Sequence, residues 1–188
     1  MGPRLNLGSG QLRIPGYTNV DMEASPSVEV VWDLSQRPWP FEDNSVEGII
    51  AWHSLEHLPG LALGGAMEEI HRILKPGAVV YIKVPYKEPG PYNPFHFHVF
   101  DRKSFNYWIK GGEGGPELCL QERHTYFDRV RQEVVTLSGF PVWHIIHHLP
   151  STEGTLFERD ERAPFSRHIP AIWDRSRELR EWLAKRPE

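Results

Sequence analysis

Residues 4–21, RLNLGSGQLRIPGYTNVD, decide the fold. Arg4 to Leu7 is a short apolar-rich run that passes straight into Gly8-Ser9-Gly10, and Tyr17 to Val20 is a second run stopped by Asp21. Short apolar or β-branched runs bounded by Gly, Pro and Asp read as strands. The link from Gly10 to Tyr17 contains Pro15-Gly16, so it holds at most a turn or two of helix. Working outward, Val28 to Trp32 (VEVVW) makes a third strand stopped by Asp33. Val46 to Trp52 (VEGIIAW) makes a fourth and Ala78 to Val84 (AVVYIKV) a fifth. Between these two, about Leu61 to Leu74, Met67, Ile70, Ile73 and Leu74 recur at helical spacing before Lys75-Pro76-Gly77 ends the helix. Strands alternating with crossovers imply a parallel α/β sheet.

The later chain is less patterned. Residues 85–94 (PYKEPGPYNP) are too rich in Pro, Gly and Tyr for a regular element. Asp101 fits a helix N-cap, with Phe105, Trp108 and Ile109 on one face and GGEGG at 111–115 closing the helix. Phe127 to Ser138 fits both periods; the reading favoured is a helix ending at Gly139, then a strand from Val142 to His148. From about Ala171 to Lys185, Ile172, Leu179, Trp182 and Leu183 mark the apolar side of an amphipathic helix. The expected organisation is one domain over residues 1–150, with 151–188 an extension whose helix packs on the domain or on a second subunit.

Composition narrows the function classes. The chain has 188 residues, enough for one domain with a real core. Its 21 Lys+Arg against 25 Asp+Glu give a formal charge of −4, which offers no bulk attraction to nucleic acid or anionic membrane. A single cysteine, Cys119, leaves neither a disulfide framework nor a Cys-cluster zinc site. No apolar run approaches the roughly 20 residues of a membrane span, and MGPRLNLGSG lacks the apolar centre of a signal peptide. A cytoplasmic protein is expected.

The chemistry concentrates at one sheet edge. A strand ends in Gly8-Ser9-Gly10, and the next two end in Asp21 and Asp33. In a parallel sheet all three lie at the C-terminal edge, where ligands bind. Glycine permits close backbone approach, and an acid at the adjacent tip is placed to accept both hydroxyls of a ribose. A nicotinamide dinucleotide fingerprint needs G-x-G-x-x-G, but its third position here is Arg13, and its ribose acid belongs about 20 residues on. No Walker A string occurs. An ordinary tight turn beside two capping aspartates is the competing reading of this turn alone.

The linked segments LNLGSG, NVDM, DLSQRPWPFEDNSVEGIIAWHSLEHL and MEEIHRILKPGAVVYIKVP resemble a class I S-adenosylmethionine-dependent methyltransferase, most closely the small type 11 group. The likeness covers about residues 4–110. It implies a Rossmann-like α/β fold: a mostly parallel seven-stranded sheet with an antiparallel last strand, helices on both faces, and the cofactor across the strand tips. It further implies that Leu7, Gly8, Ser9 and Gly10 line the methionine part of S-adenosylmethionine and that Asp21 holds the ribose. Met22 would lie against the adenine, Asp33 and Leu34 would address its edge, and Trp52 and His53 would close over the cofactor. The first crossover is shorter than the long helix usual in the superfamily.

On the substrate side, His57 falls where that family faces the transferred methyl, and Asn93-Pro94-Phe95-His96 to Phe100 is similar to its P-x-H-x-x-x-F segment. His57 or His96 is thus the candidate general base, since histidine titrates near working pH. Tyr86, Tyr92 and Phe100 are expected to border the acceptor. Metal is not assigned: WHSLEHL lacks the H-E-x-x-H order of a zinc helix, and the pair His96 and His98 has no strengthening neighbour beyond Asp101. His144, His147 and His148 are read as structural.

The fourth strand tip reads AWHSLEH rather than [DNS]-P-P-[YFW], and no Pro-Cys pair occurs, so nucleic-acid methylation is disfavoured. The expected acceptor is a small molecule methylated at O or N. The competing classes are a regulatory protein that binds S-adenosylmethionine without transferring its methyl, and an NAD-linked oxidoreductase on the same sheet. Seven tryptophans and the C-terminal helix are compatible with a homodimer.

Overall fold

The computed structural model describes residues 2–86, 93–109, 127–138 and 174–185. Seven strands run in chain order as β1 Arg4–Leu7, β2 Thr18–Asp21, β3 Val30–Val31, β4 Val46–Trp52, β5 Leu74–Pro85, β6 Phe127–Ser138 and β7 Asp174–Lys185. They form one sheet in the order β3-β2-β1-β4-β5-β7-β6. Pairings among β1 to β5 are all parallel, and β7 runs antiparallel between β5 and β6. The order reverses beside β1, so the C-terminal tips of β1 and β4 flank a crevice, the place where open α/β sheets bind ligands.

Side-chain alternation divides the sheet into two unequal faces. Leu5, Leu7, Ile49, Ala51, Val80, Ile82 and Val84 point to the larger core. There α1, Ala62–Ile73, lays down Leu63, Ala66, Met67, Ile70 and Ile73, all buried, in agreement with the helical spacing of its sequence. Ile50, Trp52 and Tyr81 face the other way and pack with Ile14, Leu12, Tyr17 and Val79 from the crossover and strand β5.

The first crossover contains turns and no helix, as Pro15-Gly16 implies. Hydrogen bonds hold it in place. Buried Asn6 donates through Nδ2 to the Leu12 carbonyl and to Asn19 Oδ1, both at 3.0 Å. Asn19 in turn donates its side-chain amide to the Ser27 carbonyl at 2.7 Å and its backbone N–H to Glu29 at 2.8 Å. Glu29 also pairs with Arg13 in the crossover. A polar network thus takes the place of a helix over β1 and β2, and every buried amide group in it that is described here has a partner.

Three helical expectations are corrected. Residues 127–138 form strand β6, not a helix. Residues 174–185 form strand β7, not an amphipathic helix, and their register runs from Val79↔Ala184 to Pro85↔Glu178 on one side and from Phe127↔Lys185 to Ser138↔Asp174 on the other. The open hydrogen-bonding edge of β5 recruits this segment, and tertiary pairing overrides the helical propensity of a sequence such as ELREWLAK. Residues 174–185 are therefore part of the sheet, and the helix-based reason for a second subunit falls with the helix. After Asp101 there is only a 3-10 turn, Ser104–Trp108; Asp101 Oδ1 accepts from the Lys103 N–H at 2.7 Å and from Ser104 Oγ. The expected strand 142–148, the GGEGG stretch and Tyr92 lie outside the described residues. Among the described residues no helix is long and apolar enough to cross a membrane.

Candidate functional site

The strand tips enclose a cavity of about 530 Å³, within the range of small-molecule sites. Its wall is built from three successive βα corners. The first is Gly8 to Gly10. Gly8 has φ of +62°, and a Cβ there would stand 2.3 Å from Ser54 Cβ, so the tips of β1 and β4 approach as closely as they do only because position 8 has no side chain. Gly10 has φ of +53° and faces open space.

The second corner is Asp21. Its Oδ2 accepts from the Gly10 N–H at 2.7 Å and its Oδ1 from the Glu23 N–H at 3.0 Å. The glycine turn and the acid are thus one hydrogen-bonded unit, further tied by Ser9 N–H donating to the Val20 carbonyl. The third corner is Asp33, whose Oδ1 accepts from the Ser35 N–H at 2.8 Å. That backbone bond, supplemented by Ser35 and Gln36 side chains, holds its carboxyl below the usual range, so it is an anion at neutral pH.

Beyond β4 the chain turns sharply. His53 has φ of +50°, uncommon for a residue with a side chain, and its N–H donates to the Lys83 carbonyl at 2.9 Å. Its Nδ1 donates to Glu56 Oε1 at 3.0 Å, and Glu56 is fully buried. Lys83 is buried as well, with Nζ 4.2 Å from the centre of the Trp52 ring, a cation–π contact under the cavity wall. Segment 93–100 folds against this turn: Phe97 N–H donates to the Glu56 carbonyl at 2.8 Å, His98 Nε2 to Leu58 at 2.8 Å, and His57 Nδ1 to Phe95 at 3.0 Å.

Of the residues expected to hold a cofactor, Gly8, Ser9, Gly10, Asp21, Met22, Asp33, Leu34, Trp52 and His53 all line the cavity. Leu7 does not: it is fully buried in the larger core, because it shares a sheet face with Leu5. His57 lines the cavity too, and His96 lies against it with ring centroids 4.8 Å apart. Phe100 is not at an acceptor surface. It is 2% exposed and stacked on Phe105, so it anchors segment 93–100 to the core. Tyr86 pairs with Phe100 through a β-bridge and packs on that core, outside the cavity wall. Sequence reasoning missed Leu12, Trp32, Ser35, Ser54, Leu58 and Pro59, which join the wall. Trp32 and Ser35 flank the acid already identified, but Ser54 is signalled only by the three-dimensional closeness of β1 and β4.

Two carboxylates and no lysine or arginine stand among the described lining residues. Such a wall suits a ligand rich in hydroxyls or carrying positive charge, and offers no side-chain lysine or arginine to a pyrophosphate.

Residues 18–82 match the family model described as a methyltransferase domain, of type 11. No curated protein matches the chain. Among solved structures, a putative methyltransferase of Bacillus halodurans C-125 superposes with a TM-score of 0.60 at 11% identity, over 99% of this chain and 93% of that one. The 1,6-didemethyltoxoflavin-N1-methyltransferase of Burkholderia thailandensis, solved with bound 1,6-didemethyltoxoflavin and S-adenosylhomocysteine, gives 0.59 at 14% identity, over 99% and 72%. A putative methyltransferase of Haloferax volcanii, solved in complex with the Trm112 activator, gives 0.55 at 13% identity, over 99% and 83%. At these identities the likeness is one of fold.

Proposed function

We propose that the chain, whose residues 18–82 match the methyltransferase-domain model, is a class I S-adenosylmethionine-dependent methyltransferase of the type 11 group that methylates an O or N atom of a small-molecule acceptor. The observation that carries the reading is the corner where Gly10 N–H meets the Asp21 carboxylate at 2.7 Å, opening on a cavity whose described wall contains acids and aromatic rings but no fixed cation. Asp21 would accept the ribose hydroxyls, Met22, Asp33 and Leu34 the adenine, and the backbone of Gly8 to Gly10 the methionine end. When bound, S-adenosylmethionine supplies an electrophilic methyl on its sulfonium. The chain's own part is to position the acceptor, a contribution worth up to about 7–11 kcal/mol of barrier. His57 and His96 would promote loss of the acceptor's proton. The Burkholderia protein, solved with the small molecule 1,6-didemethyltoxoflavin bound, supports that acceptor class, and the absence of a basic wall among the described residues tells against nucleic acid. We also read the protein as cytoplasmic.

Thermal denaturation with added ligand tests this. At 100 times Kd, S-adenosylhomocysteine should add about 2.7 kcal/mol of stability, and NAD should add none. Asp21→Ala should abolish the response while leaving the unliganded melting temperature within a few degrees. A response to NAD alone, or none to either, overturns the reading. Stabilisation by S-adenosylhomocysteine without a methylated product from any extract would point instead to a regulatory binding protein.

A further inference from the structure

Glu56, His57 and His96 each bring one ligand-type atom to within 4.8 Å of the others. Proximity is not the whole of it. Glu56 is fully buried; its Oε1 accepts from His53, and its Oε2 has no hydrogen-bond partner among the described residues. A buried carboxylate oxygen without a donor requires an explanation, and a bound cation is one of the few available. His57 adds an independent indication. Its Nδ1 lies 3.0 Å from the Phe95 carbonyl, which can only accept, so Nδ1 carries a proton and in the neutral ring Nε2 is the nitrogen with the lone pair. A tautomer anchored in this way by a backbone carbonyl is how metal-binding imidazoles are oriented, and His53 orients Glu56 in the same sense.

We propose that Glu56, His57 and His96 bind a divalent transition-metal ion of the zinc class, with one coordination position left for the acceptor. Two imidazoles and a carboxylate are a donor set for zinc, and three protein ligands with an open fourth position are the catalytic arrangement and not the structural one. Bonds of about 2.0–2.2 Å place tetrahedral donors roughly 3.3 Å apart, so the widest pair closes by about 1.5 Å as the ion enters. Glu56 is buried, His96 half-buried and His57 exposed, so the closing movement falls on the two histidines and not on the carboxylate. The helical spacing of His53 and His57 does not make this site: His53 supports Glu56 from behind, and the third ligand arrives 39 residues later along the chain, on segment 93–100.

The binding of the ion stands on geometry alone; its use in methyl transfer rests on the function proposed above. His57 also lines the cavity, so an ion on its Nε2 borders the cofactor. The acceptor is then an oxygen acid, a hydroxyl or phenol. Its oxygen takes the open position, and its proton leaves to water because the cation lowers its pKa. The oxygen lone pair forms the new C–O bond as the C–S bond breaks, with that electron pair remaining on sulfur as a neutral thioether.

The full-length protein, stripped with chelator, is titrated with Zn²⁺ and with Co²⁺ alone. One ion per chain is expected, with the visible absorption of four-coordinate cobalt. His57→Ala, His96→Ala and Glu56→Gln should each weaken binding at least tenfold, with His96→Ala offering a partly exposed position if the buried glutamate variant fails to fold. Because the chain has ten histidines, a variant with His144, His147 and His148 all changed to Ala is the control, and it should bind unchanged. No bound ion, or an affinity indifferent to His57→Ala and His96→Ala, overturns the site. S-adenosylhomocysteine stabilisation measured on the same samples separates the two readings: a response without zinc sinks the metal site only, and zinc without that response keeps the site and removes its role in methylation.

Discussion

Gly8 and Gly10, two residues apart, serve different ends. Gly8→Ala forces a Cβ to 2.3 Å from Ser54 Cβ at a φ of +62°. Overpacking costs about 1–3 kcal/mol and the left-handed conformation a further 1–2 kcal/mol or so. Chemical denaturation should therefore show a loss of about 3 kcal/mol, of which Ser54→Gly in the same chain restores the packing part. Gly10→Ala meets no atom within 4 Å, so its stability cost should stay near 1 kcal/mol. Its methyl group should nonetheless weaken S-adenosylhomocysteine binding, because Gly10 lines the cavity and carries the N–H bonded to Asp21. Equal stability losses for the two variants would contradict this division. The importance of the turn was legible in the sequence, since Gly8-Ser9-Gly10 follows an apolar run and precedes an acid-terminated one. Ser54 was not, because it neighbours Gly8 only after β4 has taken its place beside β1. Phe100 was misread for a related reason: an aromatic in a loop motif looks like a substrate contact until its partner, Phe105, is known.

At the scale of elements, α1 is fastened to the loop before β4 by an ion-pair cluster with a definite pH signature. Buried Glu69 accepts from the Trp39 N–H at 2.7 Å and from Arg72, which also donates to the Phe41 and Trp39 carbonyls and pairs with Asp43. Burial pushes the Glu69 carboxyl up, but the bonds from Arg72 and Trp39 and the charges of Arg72 and Arg37 outweigh it, leaving a net downward shift. A carboxyl held lower in the folded state than in the unfolded one stabilises fully above its ordinary pKa of about 4.3, and that contribution fades as pH falls through the lower folded value. Arg72→Ala leaves buried Glu69 with only the Trp39 N–H and the more distant Arg37, and should cost about 3 kcal/mol at pH 7. Denaturation midpoints at pH 7 and pH 3 should show the gap between wild type and variant shrinking in acid; a gap independent of pH would exclude Glu69 as the titrating group. Element types followed the same divide between local and distant causes. The α1 stripe of Met67, Ile70 and Ile73 is a local signal and was read correctly. The strands β6 and β7 were not: Asp174 to Lys185 carries helix formers, and only pairing with β5, about 100 residues away in sequence, and with β6 makes it a strand.

For the molecule as a whole, the cavity and segment 93–100 meet in one turn. Residues 53–59 line the cavity through His53, Ser54, His57, Leu58 and Pro59, and the same turn receives segment 93–100 through the bonds of Phe97 to Glu56, His98 to Leu58 and His57 to Phe95. A ligand that orders the turn must raise the free energy of opening the bonds that depend on it, since local opening is cooperative within such packed units. Amide hydrogen exchange should therefore slow on S-adenosylhomocysteine binding at residues 8–12, 21–23, 33–36 and 53–58, and also at Phe97, whose N–H touches no cavity wall and is bonded to the Glu56 carbonyl at 2.8 Å. Residues of α1 on the opposite core, such as Ile70, should change little, because they already pack against the sheet without help from the tips. Protection confined to residues 8–36, with Phe97 exchanging at its unliganded rate, would mean that the two sides of the site are ordered independently. Protection reaching Phe97 would mean that cofactor binding prepares the very segment that carries His96 to its place beside His57.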